Sequence, residues 1–199
     1  MTLVKICGIC DVDGGRAAVD AGADLLGFHF CSSLRRVEPE TALRILERLP
    51  SLPLLVGVFI DQSPEEVNRV ADLVGLDYVQ LHGAEAPGFA AGRPVIKTLK
   101  VRDGRLPDAS GWPDPVLLDA WSADQRGGTG QTWDFDLAAP LLAERQVFLA
   151  GGLNPGNVGE VVGRLRPHGV DVSSGVEAEV RRKDPARIRD FVAAVRNAA

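Results

Sequence analysis

Eight short apolar runs, rich in β-branched residues, recur along the chain, and each is followed by a turn signal. They cover residues 3–7, 25–30, 54–59, 78–82, 95–99, 116–119, 147–150 and 170–173. Between them lie segments with helical periodicity or helix-start signals, including 13–21, 39–49, 64–74, 157–165 and 185–195. Several open on Pro after a cap-type residue, as in SPEE and KDPA, where the missing N–H has no helical partner to lose. Strands that are apolar on both faces and alternate with helices imply a parallel sheet covered by those helices. Eight such units imply closure into a single (β/α)8 TIM barrel, with residues 1–199 as one catalytic domain, although 199 residues is short for that fold. The connection VRDGRLPDASGWPD carries no helical pattern, so the fifth helix should be degenerate. An open, doubly wound sheet is the competing arrangement. Its dinucleotide-binding version is weakened because no G-x-G-x-x-G follows the first strand.

The formal net charge is −5, with Lys and Arg scattered rather than clustered. That argues against nucleic acid or an anionic membrane as partner. A small anionic ligand is compatible, since a few N–H groups and one or two cations suffice to hold it. No apolar run approaches the ~18 residues of a spanning helix, and the first residues do not read as a secretory leader. A cytoplasmic location is the expectation, with the three cysteines reduced. Two of them, in KICGIC, are spaced C-x-x-C. Taken alone, Cys7 and Cys10 fit a redox dithiol, a zinc site completed by His29 and Cys31, or one working thiol beside a bystander.

Barrel active sites gather at the C-terminal ends of the strands, and period-2 alternation decides which residues share a face. Lys5 and Cys7 share one, as do Gln80 and His82, and Asp171 and Ser173; in VLLDA, Asp119 ends the apolar run, and Lys97 lies within VIKTL. Polar groups at so many strand ends, where a purely structural barrel carries branched apolar residues, point to a site. A buried Lys5 would need a partner, and Asp171 is the candidate, because the last strand neighbours the first in a closed barrel. Gly151 and Gly152 follow the seventh strand, and Ser173, Ser174 and Gly175 the eighth, where barrels often hold phosphate on backbone N–H groups. Gly127, Gly128, Thr129 and Gly130 follow the sixth strand in a stretch that suits a lid over substrate. Arg35 and Arg36, after the second strand, offer guanidinium forks for a carboxylate or phosphate.

The stretches VKICGI, AGADLLGFHF, SLRRVEP, VGVF, VQLHG, LLDA with GGTG, AGGLNPGNV and VDVSSGVE with KD follow in that order from Val4 to Asp184. In them the chain resembles the phosphoribosylanthranilate isomerase family of tryptophan biosynthesis. The resemblance implies an intramolecular aldose–ketose isomerase that needs no metal and no organic cofactor. Its small-molecule partner would be N-(5'-phosphoribosyl)anthranilate, converted to 1-(2-carboxyphenylamino)-1-deoxyribulose 5-phosphate by an Amadori rearrangement. It also implies that Cys7 is the general base, aided by the nearby Lys5, and Asp119 the general acid, protonated in a desolvated site. Arg35 would hold the anthranilate carboxylate, with Arg36 its adjacent competitor. The phosphate would rest on Gly152 and on the turn of Ser173, Ser174 and Gly175. Three departures stand out: Cys10 where the family usually has Thr, Arg181 and Arg182 in RRKD where a glycine turn is usual, and TWDFDLA in place of FDW. Another sugar-phosphate barrel enzyme and a non-catalytic phosphate-ligand sensor are the rival functions. Both a monomer and a homodimer are compatible with the sequence.

Overall fold

The computed structural model describes residues 1–120 and 133–198, and every structural statement below concerns these. Strands β1 (Leu3–Cys7), β2 (Leu25–His29), β3 (Leu54–Phe59), β4 (Tyr78–Leu81), β5 (Val95–Val101), β6 (Val116–Ala120), β7 (Val147–Leu149) and β8 (Gly169–Val172) form a closed barrel in sequence order. Every neighbouring pair is parallel, including the β1–β8 seam. Helices α1 (Val12–Asp20), α2 (Pro39–Leu46), α3 (Pro64–Val74), α4 (Ala139–Glu144), α5 (Val158–Leu165) and α6 (Pro185–Ala198) lie outside it. A short hairpin of β9 (Glu177–Glu179) and β10 (Arg182–Lys183) precedes α6.

The expected gap after β5 is present: no helix lies between β5 and β6. The connection from β4 to β5 has none either, a second omission that the apolar spacing did not reveal. Elsewhere the helices start where local chemistry provides for them. Asp11 accepts the Gly14 N–H ahead of α1, and Ser63 accepts the Glu66 N–H ahead of α3, each satisfying one orphan donor of a first turn. Gly75, at φ 74°, ends α3 in the left-handed conformation.

Alternation along the strands splits the core into two layers. Leu25, Val56, Ile96, Leu117, Phe148 and Ala150 fill the barrel interior. Their neighbours of opposite parity, such as Val4, Ile6, Leu26, Val79, Leu118, Val147 and Val170, pack outward under the helices. Gly169 has no side chain because Phe148 fills the space where a Cβ would lie. No helix among the described residues is long and apolar enough to cross a membrane.

Candidate active site

Past the interior apolar layer, the inner face turns polar toward the C-terminal ends of the strands. Lys5 and Asp171 are register partners across the β1–β8 seam, and Lys5 Nζ donates to Asp171 Oδ1 at 2.7 Å. The lysine is 0% exposed. Burial alone would push its ammonium down; Asp171, with Cys7 beyond it, outweighs burial and raises it. This is the pairing expected from strand order. Cys7 lies on the same face at the end of β1, in register with Gly27 of β2. A Cβ on Gly27 would sit 2.8 Å from the Cys7 sulfur, closer than side chains pack, so the missing side chain is what seats the thiol. Burial pushes the Cys7 thiol up, against the pull of Lys5.

His29 is two residues beyond Gly27. Its Nε2 is 3.3 Å from Cys7 Sγ, and its Nδ1 is 2.8 Å from Ser33 Oγ. The Arg35 backbone N–H donates to the same Ser33 oxygen at 3.1 Å. The Arg35 side chain folds over Gly8, where an added Cβ would meet its Cδ at 2.5 Å and Ser173 Oγ at 3.1 Å. Loops from β1, β2 and β8 thus converge on one spot. There the Arg35 fork is gripped by Glu177: Nε donates to Oε1 at 2.7 Å and Nη2 to Oε2 at 2.6 Å. Lys183 from β10 donates to the same carboxylate at 3.1 Å and to the Ser173 carbonyl at 3.0 Å. Burial would raise the Glu177 carboxyl, but its bonds from Arg35 and the charge of Lys183 outweigh that and hold it low. Arg36 is 54% exposed and pairs with Glu38 at the surface.

On the far side, Asp119 stands one residue before the end of β6 and is in register with Lys100 of β5. Lys100 Nζ donates to Asp119 Oδ2 at 2.5 Å, and His82 Nε2 is 3.9 Å from the same oxygen. Burial, then Lys100, holds His82 well below the ordinary histidine value, which favours the neutral ring; its Nδ1 has no partner among the described residues. Gln80 lies deeper, 2% exposed, with its amide N–H donating to Thr98 Oγ1 at 3.0 Å. Lys97 does not join this face. It has the parity of Leu99, which packs in the outer core, and its ammonium donates to the Gly83 carbonyl and to Glu85 at 2.7 and 2.6 Å. The polar pattern of this strand on the inner face therefore belongs to Thr98 and, just past VIKTL, Lys100.

The two glycine turns meet. Gly151 and Gly152 both take positive φ, 88° and 76°. A Cβ on Gly151 would strike the Ala120 backbone N at 2.6 Å and approach Asp119 Oδ1 to 3.0 Å. Ser174 and Gly175 lie in a 3-10 turn after β8, and a Cβ on Gly175 would collide with the Leu153 carbonyl. Ser173 Oγ is buried without a partner among the described residues. Gly127, Gly128, Thr129 and Gly130 lie outside the described residues. Cys10 Sγ turns to the Gly8 and Arg35 carbonyls, both at 3.5 Å; the small apolar cluster around Cys7 contains Cys31 and Val58 instead. The C-x-x-C is thus divided in space. Among the described residues no group of three or more His, Cys, Asp or Glu is arranged to hold a metal ion.

Lys100, Glu177 and Lys183 are not among the site residues the sequence suggests, and His29 enters there only as a zinc-ligand alternative. Alternation continued past Leu99 would have found Lys100, and the same rule applied to Gly27 would have placed His29 beside Cys7. No periodicity marks Glu177 or Lys183, although they stand in the quoted stretches VDVSSGVE and KD.

A family model described as N-(5'-phosphoribosyl)anthranilate isomerase matches residues 4–194. The chain is 48% identical over 197 residues to the N-(5'-phosphoribosyl)anthranilate isomerase of Pelobacter propionicus, covering 96% of this chain and 94% of that one. It is also 48% identical over 204 residues to that of Desulforudis audaxviator, with 100% of both covered. The crystal structure of phosphoribosyl anthranilate isomerase from Thermus thermophilus superposes with a TM-score of 0.90 at 38% identity over the full length of both chains. A phosphoribosyl anthranilate isomerase solved in complex with reduced 1-(o-carboxyphenylamino)-1-deoxyribulose 5-phosphate gives 0.84 at 36% identity, covering 99% of this chain and 100% of that one. With matches of this length and a mouth whose polar groups fall at the same motif positions that suggested the resemblance, the chain belongs to the N-(5'-phosphoribosyl)anthranilate isomerase family.

Proposed function

We propose that this isomerase converts N-(5'-phosphoribosyl)anthranilate to 1-(2-carboxyphenylamino)-1-deoxyribulose 5-phosphate, with Cys7 as general base and Asp119 as general acid. The observation that carries this reading is the order of groups around the mouth. A thiol ends β1 and a carboxylate stands one residue before the end of β6, and the two glycine turns of β7 and β8 lie between them in strand order. A phosphate held on those turns leaves the sugar between base and acid.

The reaction needs an acid and a base. Asp119 gives its proton to the ribose ring oxygen, the bond from that oxygen to C1 breaks, and the ring opens to a Schiff base. The Cys7 thiolate then takes the proton from C2, and the electron pair moves to form an enolamine. Return of a proton to C1, with loss of the proton on the C2 hydroxyl, gives the ketone. Asp119 is ion-paired with Lys100 in the free protein, a contact of the anionic form. Its acid role therefore requires that an anionic substrate compete for Lys100 and exclude water as it binds. Glu177 occupies Nε and Nη2 of Arg35, which leaves Nη1 for the anthranilate carboxylate. That favours Arg35 over the solvated Arg36. Gly151, Gly152, Ser173, Ser174 and Gly175 would receive the phosphate, and the unpartnered Ser173 hydroxyl supports this assignment. His82 and Asp171 border the sugar, and Gln80 sits beneath it.

Consumption of the fluorescent substrate by purified chain tests the reading. Wild type should turn over, and Cys7→Ser and Asp119→Asn should each lose about 100-fold or more in kcat, the scale of a missing acid or base. A wild type without turnover, or either variant within a few-fold of it, overturns the assignment.

A further inference from the structure

The thiol at the end of β1 has a neighbour that the mechanism above does not use. His29 faces Cys7 from β2, with Nε2 3.3 Å from the sulfur, and its other ring nitrogen is 2.8 Å from Ser33 Oγ. The direction of the protons follows from counting donors. Ser33 Oγ already accepts the Arg35 N–H, and among the described residues the only acceptor for its own proton is His29 Nδ1. If Nδ1 accepts that proton, the neutral ring carries its hydrogen on Nε2, facing sulfur. The opposite tautomer would leave the serine proton with solvent alone.

We propose that His29 is a positioning residue for Cys7: oriented by Ser33, its neutral imidazole donates Nε2–H to the sulfur and favours the thiolate over the thiol. The proposal rests on the reading of Cys7 as base and adds a residue to it. His29 does not itself take the thiol proton. Burial, then the surrounding Lys5, Arg35 and Lys183, pushes the imidazole down to about 3, so an imidazolium there is disfavoured. The thiol proton leaves to solvent before substrate arrives, the thiolate takes the C2 proton, and His29 keeps its own throughout.

The charges facing Cys7 explain why a neutral donor is useful. Lys5 on β1 and Lys183 on β10 pull the thiol down, while Asp171 on β8 works against them. Cys31, beyond the end of β2, brings a second thiol to the cluster. Burial is the largest influence and raises Cys7. Another cation here would be added to an already positive neighbourhood, whereas an N–H dipole favours the anion without a net charge.

The test is read first on the full chain without substrate. Alkylation of Cys7 by iodoacetamide, mapped by mass spectrometry across pH, reports the thiolate; kcat and KM are then measured on the same preparations. His29→Val should move the alkylation midpoint upward by about one to two pH units, the size of one hydrogen bond to a charged group. Its kcat should fall about 10- to 100-fold below the new midpoint, with KM within about threefold. His29→Gln, which restores an N–H, should recover part of both effects. Ser33→Ala, in the loop and away from the barrel wall, should shift the midpoint in the same direction by less, and it serves if the valine variant does not fold. A midpoint unmoved in both His29→Val and Ser33→Ala overturns the proposal, and so does an equal shift in the Val and Gln variants. Near-full turnover in Cys7→Ser would instead overturn the base assignment, and the substrate-free midpoints would still report whether His29 and Cys7 are coupled.

Discussion

At Gly27 one added methyl would lie 2.8 Å from the Cys7 sulfur and 3.2 Å from Lys5 Nζ, so Gly27→Ala must displace the thiol or the lysine. Overpacking of this kind costs about 1–3 kcal/mol. The variant should therefore show a lowered Tm, and, because the sulfur itself moves, a kcat at least about tenfold down; unchanged kcat would mean that the seat is looser than the geometry indicates. His29 gives a prediction of opposite character, because its effect is on stability at acid pH. Its imidazole goes from an ordinary 6.5 to about 3 on folding. Between those values the unfolded chain binds the extra proton, so this residue makes stability fall as pH drops through that window. His82 and His168 are lowered too, so the informative quantity is a difference. As pH falls from 7 to 5, chemical denaturation should show His29→Val losing less stability than wild type. Parallel curves would contradict the neutral buried state.

The hairpin of β9 and β10 shows how an element compensates for a departure in sequence. A glycine is usual in the turn where this chain has Arg181, and Arg181 takes the left-handed backbone at φ 75°. Its guanidinium donates to the Leu34 and Arg36 carbonyls at 3.0 and 2.9 Å, so a side chain that strains the turn also ties it to the loop bearing Arg35. The same hairpin delivers Glu177 between Arg35 and Lys183, all three buried. Glu177→Gln leaves two cations short of their partner and should destabilise the fold by about 3 kcal/mol, measured by denaturant midpoint. It should also raise KM by freeing the Arg35 fork. The strands and most helices were legible in the sequence because period 2 and period 3.6 are local properties. Cys7, Asp119 and Asp171 were legible for the same reason, as polar breaks in apolar runs. The hairpin network was not, since Arg35 and Glu177 are 142 residues apart and no periodicity connects them. Lys97 misled because a lysine inside an apolar strand announces a buried charge without saying which side of the wall it faces.

For the whole molecule, the joint between first and last strands is where architecture and chemistry coincide. The buried Lys5–Asp171 pair spans it, and a pair of this kind is worth little against an apolar replacement yet costly to break. Lys5→Met alone should cost about 3–5 kcal/mol, while Lys5→Met with Asp171→Leu should recover most of it. Additive losses in that cycle would show that the two residues stabilise the seam independently. Closure also sets the order Asp119, glycine turns, Cys7 around the mouth, on which the proposed proton transfers depend. Cys7 as the base is read most directly from single-turnover rates with substrate carrying deuterium at ribose C2, where product release plays no part. Wild type should slow severalfold with the heavy isotope, and Cys7→Ser should lose about 100-fold or more of the single-turnover rate. A Cys7→Ser chain that keeps both the wild-type rate and the isotope effect contradicts removal of the C2 proton by this thiol.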